Sequence, residues 1–138
     1  MPRAVLDANV LVSALVNRDG PCARLLVEGR AGAFELILSP RLIAELRDVI
    51  GRDKFRRYFS LEEGEAFIAR VSSGANMRTD PAPSGMALAS DPADEYLIDL
   101  ARDAPVHALV TGDKALLELR DVIPVMTPAE FMATLADS

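Results

Sequence analysis

Apolar side chains along this chain follow two rhythms. Short runs such as Arg3–Leu6, Glu35–Leu38 and residues 106–110 have the length and flanks of buried strands. Elsewhere apolar residues recur three and four apart. Leu42, Ile43, Leu46, Val49 and Ile50 form one such stripe, expected on the buried face of a helix. Its start is marked by Ser39-Pro40, a capping hydroxyl followed by proline at the first helical position. Ser60-Leu61-Glu62-Glu63 and Thr127-Pro128-Ala129-Glu130 are capping boxes that open two further helices, the first reaching to about residue 72. Residues 10–16 and 23–27 also read as helical, punctuated by Gly29 and Gly32. Asp91-Pro92 opens a helix expected to run to about residue 104. Residues 75–79 and 122–126 are weaker strands, and Pro124 suits only an edge. Residues 80–90, with two prolines and a glycine, form a loop.

Strands that alternate with helices predict a parallel sheet covered on both faces. The expected fold is one α/β domain over residues 1–138, a three-layer α/β/α sandwich around a mostly parallel sheet. Strands 3–6, 35–38 and 106–110 are expected at its centre, and 75–79 and 122–126 at its edges.

Composition narrows the chemistry. One Cys and one His leave no disulfide framework and no Cys/His zinc site, which needs about four such ligands. Cys22 is expected to be an inert thiol and His107 a packed or edge histidine. The first apolar run stops at Asp7, unlike a signal peptide, and no stretch approaches a membrane span. A cytoplasmic protein is expected. The net charge is −6, so no general affinity for polyanions is written into it. The charge is uneven: residues 1–60 carry +3 and residues 91–138 carry −7.

Ligands of open parallel sheets bind beyond the carboxyl ends of the strands. Asp7 directly follows the first strand, and Asp113 follows the strand ending at Val110. The ordinary reading of each is a turn or helix-cap aspartate. Asp94 borders the stripe Leu97, Ile98 and Ala101, whereas Glu95 is expected to turn toward solvent and Asp91 to cap. Glu45 borders the stripe of Leu42 and Val49 in the same way, with a salt bridge to Arg41 or Arg47 as the ordinary alternative. Four carboxylates on one rim would repel, at roughly 4 kcal/mol per pair at 4 Å and an effective dielectric of 20. A hard dication relieves that repulsion. All-oxygen donors favour Mg²⁺ or Mn²⁺, which can bind a phosphate oxygen and activate a water for in-line attack.

The chain resembles the PIN domains, and among them the toxin ribonucleases of bacterial toxin–antitoxin pairs (VapC-like). Four segments carry the resemblance: Val5-Leu6-Asp7-Ala8-Asn9-Val10-Leu11-Val12-Ser13-Ala14; Ser39-Pro40 with Leu42-Ile43-Ala44-Glu45-Leu46; Asp91-Pro92-Ala93-Asp94-Glu95-Tyr96-Leu97 through Ala101; and Val110-Thr111-Gly112-Asp113-Lys114-Ala115-Leu116-Leu117. Together they span essentially the whole chain. The resemblance implies a sandwich with five parallel strands and Mg²⁺- or Mn²⁺-dependent cleavage of RNA. It implies that Asp7, Glu45, Asp94 and Asp113 are the catalytic and metal-holding acids, the residues that geometry singles out independently. It further implies that Asn9 and Thr111 orient ligands or water, and that the partners are a small antitoxin and a second copy of the chain. The loop at 80–90 is less typical of the family.

Arg52-Asp53-Lys54-Phe55-Arg56-Arg57-Tyr58-Phe59 is the one basic segment interleaved with aromatics, which makes Arg52, Lys54, Arg56 and Arg57 candidates for RNA contact. A solvated helix end, or a dimer or antitoxin interface, fits it as well. Two other functions compete. Phosphoryl transfer on Asp7 would suit its place after a strand, although related phosphatases carry a second Asp where this chain has Asn9. A catalytically silent, partner-binding scaffold is the other.

Overall fold

The computed structural model describes residues 1–137. Its centre is a five-stranded sheet of β1 (Arg3–Leu6), β2 (Glu35–Leu38), β3 (Asn76–Met77), β4 (Ala108–Val110) and β5 (Val125–Met126), in the order β3-β2-β1-β4-β5. All four strand pairings are parallel. The expected central and edge strands hold their places. The edge strands shrink to two residues each, and β4 begins two residues later than expected. His107 nevertheless joins the neighbouring chain segment: its N–H donates to Arg3 O at 2.8 Å, and its Nδ1 accepts from Arg3 N at 3.0 Å. Pro124 lies just before β5, where its carbonyl accepts from Leu109 N. A proline can accept but not donate, so this is a ladder position open to it.

The helices are α1 (Ala8–Val16), α2 (Pro21–Arg30), α3 (Pro40–Ile50), α4 (Leu61–Ser73), α5 (Glu95–Asp103), α6 (Lys114–Leu117) and α7 (Pro128–Ala136). α1 packs on α2 and α3, α3 on α4, and α2 on α7, whereas α5 packs on β1 and β4. The three-layer α/β/α arrangement is therefore the one the hydrophobic pattern predicts. Both capping boxes form, and Ser39 Oγ accepts from Leu42 N at 3.2 Å. Gly64 in α4 faces α3 so closely that a Cβ there would overlap Ile50 Cγ2. That contact sets the depth of α3, the helix that carries Glu45.

One helix differs from expectation. Pro92–Asp94 is a single 3₁₀ turn, and α5 starts only at Glu95. Ala93 is accordingly exposed. Glu95 is half-buried, not solvent-directed, and its Oε1 accepts from Ala89 N at 2.8 Å. Asp99, buried one turn later, accepts from Ser84 N at 3.4 Å. These two acids fasten the 80–90 loop to α5, so the loop is tied down despite its composition.

Candidate metal centre

β1 sits at the middle of the sheet, with β2 on one side and β4 on the other. The chain steps from β1 to β2 and later returns to β4, so the carboxyl ends of β1 and β4 flank the point where strand order switches. Such crevices are where ligands of parallel sheets bind. Asp7 and Asp113 come from those two ends.

Asp7 is 4% exposed and caps α1, with Oδ1 accepting from Val10 N at 2.8 Å. Its Oδ2 accepts from the hydroxyl of Thr111, which is itself buried. Burial pushes the Asp7 carboxyl up; the Thr111 and Val10 hydrogen bonds oppose this, and the charges of Glu45 and Asp113 add to it. Asp113 is exposed and caps α6 through Ala115 N, 2.9 Å away. The ordinary cap reading of both aspartates is therefore correct. It does not compete with the rim position, because a helix that starts where a strand ends puts its cap on the rim.

Glu45 is half-buried in the middle of α3, and its Oε2 accepts from the Tyr96 hydroxyl. The expected alternative of a salt bridge is absent: Arg47 pairs with Glu65 at 2.9 Å, and Arg41 lies over the Tyr96 ring, 4.6 Å from its centroid. None of the ion pairs among the described residues includes Asp7, Glu45, Asp94 or Asp113. Burial pushes the Tyr96 phenol upward, and its bond to Glu45 adds to the shift, so Tyr96 stays a hydrogen donor.

Asp94 ends the 3₁₀ turn before α5. Its carboxyl is pushed up to about 6, chiefly by burial and then by the charges of Asp91, Asp113, Glu45 and Asp7. Asp94 thus feels the charges of Asp7, Glu45 and Asp113, and also that of Asp91, which the sequence marked only as a cap. Among the described residues, no three acidic, His or Cys side chains already converge as ligands of one ion. Asp7, Glu45 and Asp113 instead accept hydrogen bonds, Asp7 from Val10 N and the Thr111 hydroxyl, Glu45 from the Tyr96 hydroxyl and Asp113 from Ala115 N. The donor chemistry fits a hard dication, since every candidate is a carboxylate and none is neutralised by a cationic side chain.

Asp7 and Asp113 share a cavity of about 480 Å³ with Asn9, Ser13 and Cys22. Glu45 and Asp94 lie outside its lining. Asn9 is exposed there and makes no hydrogen bond to Asp7 among the described residues; Asp7 is held by Val10 N and Thr111 instead. Thr111 does that work, and its Oγ1 also accepts from Asp113 N at 3.0 Å. Cys22 is unpaired, and burial with the Asp7 charge pushes its thiol up, in line with an inert residue. A separate hollow of about 220 Å³, lined by residues such as Leu15, Leu26, Phe34 and Phe67, carries no acid and is not part of this site.

The basic segment begins beyond the end of α3, roughly 8 Å along the helix axis from Glu45 to Ile50. Arg56 donates to the carbonyls of Ile50 and Arg52 and so caps the end of α3. Arg52 pairs with Asp48 at 3.6 Å, and Lys54 and Arg57 lie over Phe55 and Tyr58. Tyr96 is the site residue that sequence reasoning passed over. The signal was present: a tyrosine on a buried helical stripe needs a partner for its hydroxyl.

The family model described as PIN domain matches residues 3–115. This chain belongs to the PIN domain family. The match includes all four acids. The domain is 26% identical to the uncharacterized protein MJ1680 of Methanocaldococcus jannaschii, over 94% of this chain and 89% of that one. Its fold is shared with PAE2754 from Pyrobaculum aerophilum (TM-score 0.69, 18% identity, 99% of this chain and 97% of that one). It is shared also with a chain of VapBC2 from Rickettsia felis, solved bound to a DNA fragment from their promoter (TM-score 0.65, 13% identity, 91% of this chain and 98% of that one). As to phosphoryl transfer on Asp7, both oxygens of that residue are engaged and position 9 is Asn, which leaves it poorly disposed as a nucleophile. Among the described residues no helix is long and apolar enough to cross a membrane.

Proposed function

We propose that this PIN domain is a Mg²⁺- or Mn²⁺-dependent endoribonuclease of the cytoplasm. We further propose that it is the toxin of a pair in which a small antitoxin covers the acidic rim, and that it acts as a homodimer. The observation that carries the catalytic reading is that Asp7 and Asp113 line one cavity at the strand ends while none of Asp7, Glu45, Asp94 and Asp113 joins an ion pair among the described residues. A structural role does not repay such crowding, whereas a dication does.

Asp7, Glu45, Asp94 and Asp113 would hold the cation. When bound, the cation supplies Lewis acidity toward a phosphodiester oxygen and a source of hydroxide near neutral pH. Thr111 keeps Asp7 turned to the rim and ties the backbone of Asp113 to it. No imidazole base is at hand, because the single histidine lies before β4, at the far end of the sheet, against Arg3. The acidic set would also draw a basic segment of an inhibitor into the rim.

The test is incubation of pure protein with structured RNA and Mn²⁺ or Mg²⁺, with chelator as control. Internal cleavage that needs the cation and disappears in Asp7→Asn supports the reading. Cleavage unaffected by chelator, or equal in Asp7→Asn, overturns it.

A further inference from the structure

Tyr96 lies two residues beyond Asp94, in the first turn of α5, and is 8% exposed. Its hydroxyl donates to Glu45 Oε2, on α3, across 51 positions of sequence. The ring is held from the side by Arg41, whose guanidinium carbon stands 4.6 Å from the ring centroid. Arg41 is in turn fixed at its backbone, where its N–H donates to Asp80 Oδ2 at 2.9 Å. Glu45 takes part in no ion pair among the described residues, so the phenol is the one described group that holds its carboxylate.

We infer that Tyr96 is a positioning residue of the metal centre: by gripping Glu45 from the turn that carries Asp94, it sets the spacing between these two acids. The inference rests on the metal site proposed above. The physical reason is that the two acids belong to different helices, and no backbone pairing joins those helices at the rim. A small dication demands near-octahedral oxygens at short distance and tolerates little drift among them. A glutamate has three side-chain torsions to fix. A phenol anchored by packing and by Arg41 removes that freedom before the ion arrives. Groups that hold a ligating carboxylate in this manner typically change metal affinity 10–100-fold when removed.

Tyr96→Phe keeps the ring and its contact with Arg41 and deletes only the donor. Mn²⁺ binding is measured by electron paramagnetic resonance without RNA. The variant is expected to bind 10–100-fold more weakly while its circular dichroism is unchanged. Its cleavage is expected to recover at high Mn²⁺, so that the activating concentration moves more than the rate at saturation. Equal Mn²⁺ affinity in wild type and Tyr96→Phe overturns the inference and leaves the metal site standing. Absence of Mn²⁺ binding in wild type overturns both.

A second measurement needs no variant. The chain has two tyrosines, Tyr58 and Tyr96, and both can be replaced by 3-fluorotyrosine. On titration with Mg²⁺, the Tyr96 fluorine resonance is expected to shift while that of Tyr58, beyond α3, stays. A Tyr96 resonance that does not move in a protein that binds Mg²⁺ overturns the inference.

Discussion

The hydroxyl of Thr111 donates to Asp7 Oδ2, joining the residues that follow β4 and β1 across 104 positions of sequence. Thr111 Oγ1 also accepts from Asp113 N at 3.0 Å. One buried side chain thus locks two candidate ligands to the two strand ends. Thr111→Val removes the hydroxyl at nearly constant volume and leaves a buried carboxylate oxygen and an N–H without it. Stability is expected to fall by about 1–3 kcal/mol in urea unfolding, with cleavage reduced as well, while Thr111→Ser retains both.

Asp7→Asn separates chemistry from capping. Asparagine caps a helix as well as aspartate does, so the bond to Val10 N at 2.8 Å can persist. The variant is expected to fold with near wild-type stability and to lose cleavage. Asp7→Ala is expected to lose cleavage and also about 1 kcal/mol of stability from the missing cap. Thermal unfolding beside an RNA assay distinguishes the two.

Asp94→Asn is expected to stabilise the metal-free protein. The Asp94 carboxyl, pushed up to about 6, holds its proton more tightly folded than unfolded, so ionising it opposes folding. The stability linked to this group is full below the ordinary carboxylate pKa near 4 and is lost as pH rises through about 6. Wild type and Asp94→Asn therefore converge below about pH 4, diverge between about pH 4 and 6, and stay apart above that, with the variant the more stable. Added Mn²⁺ reverses the order at neutral pH by stabilising wild type alone. Melting curves across pH, with chelator or with Mn²⁺, check this.

Glu130, in the first turn of α7, shows the opposite sign. Arg120 donates to it twice, at 2.7 Å, and with the Thr127 N–H holds its carboxyl down to about 2. Its contribution is present above the ordinary glutamate pKa and is lost as pH falls through about 2. Glu130→Gln retains the capping box but not the ion pair, so it is expected to be slightly less stable than wild type at pH 7. The gap is expected to close toward pH 2 and to narrow in high salt, as seen by denaturant titration.

The sandwich was legible in the sequence because its causes are local. The short apolar runs and period-3.6 stripes, the caps at Ser39, Ser60 and Thr127, and the placement of weak strands at the edges act over a few residues each. The strand-end acids Asp7 and Asp113 were legible for the same reason, since a cap after a strand is a local event. Asp94 was singled out on an α-helical geometry that the structure replaces with a 3₁₀ turn. Glu95 was misjudged because its partner, Ala89 N, belongs to a loop whose path no periodicity encodes.

What the amino-acid order determined unaided is which residues are strand, helix and cap, and which carry charge. Tertiary structure alone decided which of those charges meet. Tyr96 on Glu45, Thr111 between Asp7 and Asp113, and Arg56 turned back onto the end of α3 all follow from strand order and helix packing. Those relationships arise only when distant segments are pressed against a shared core, and hydrophobic burial, which drives that assembly, has no direction of its own.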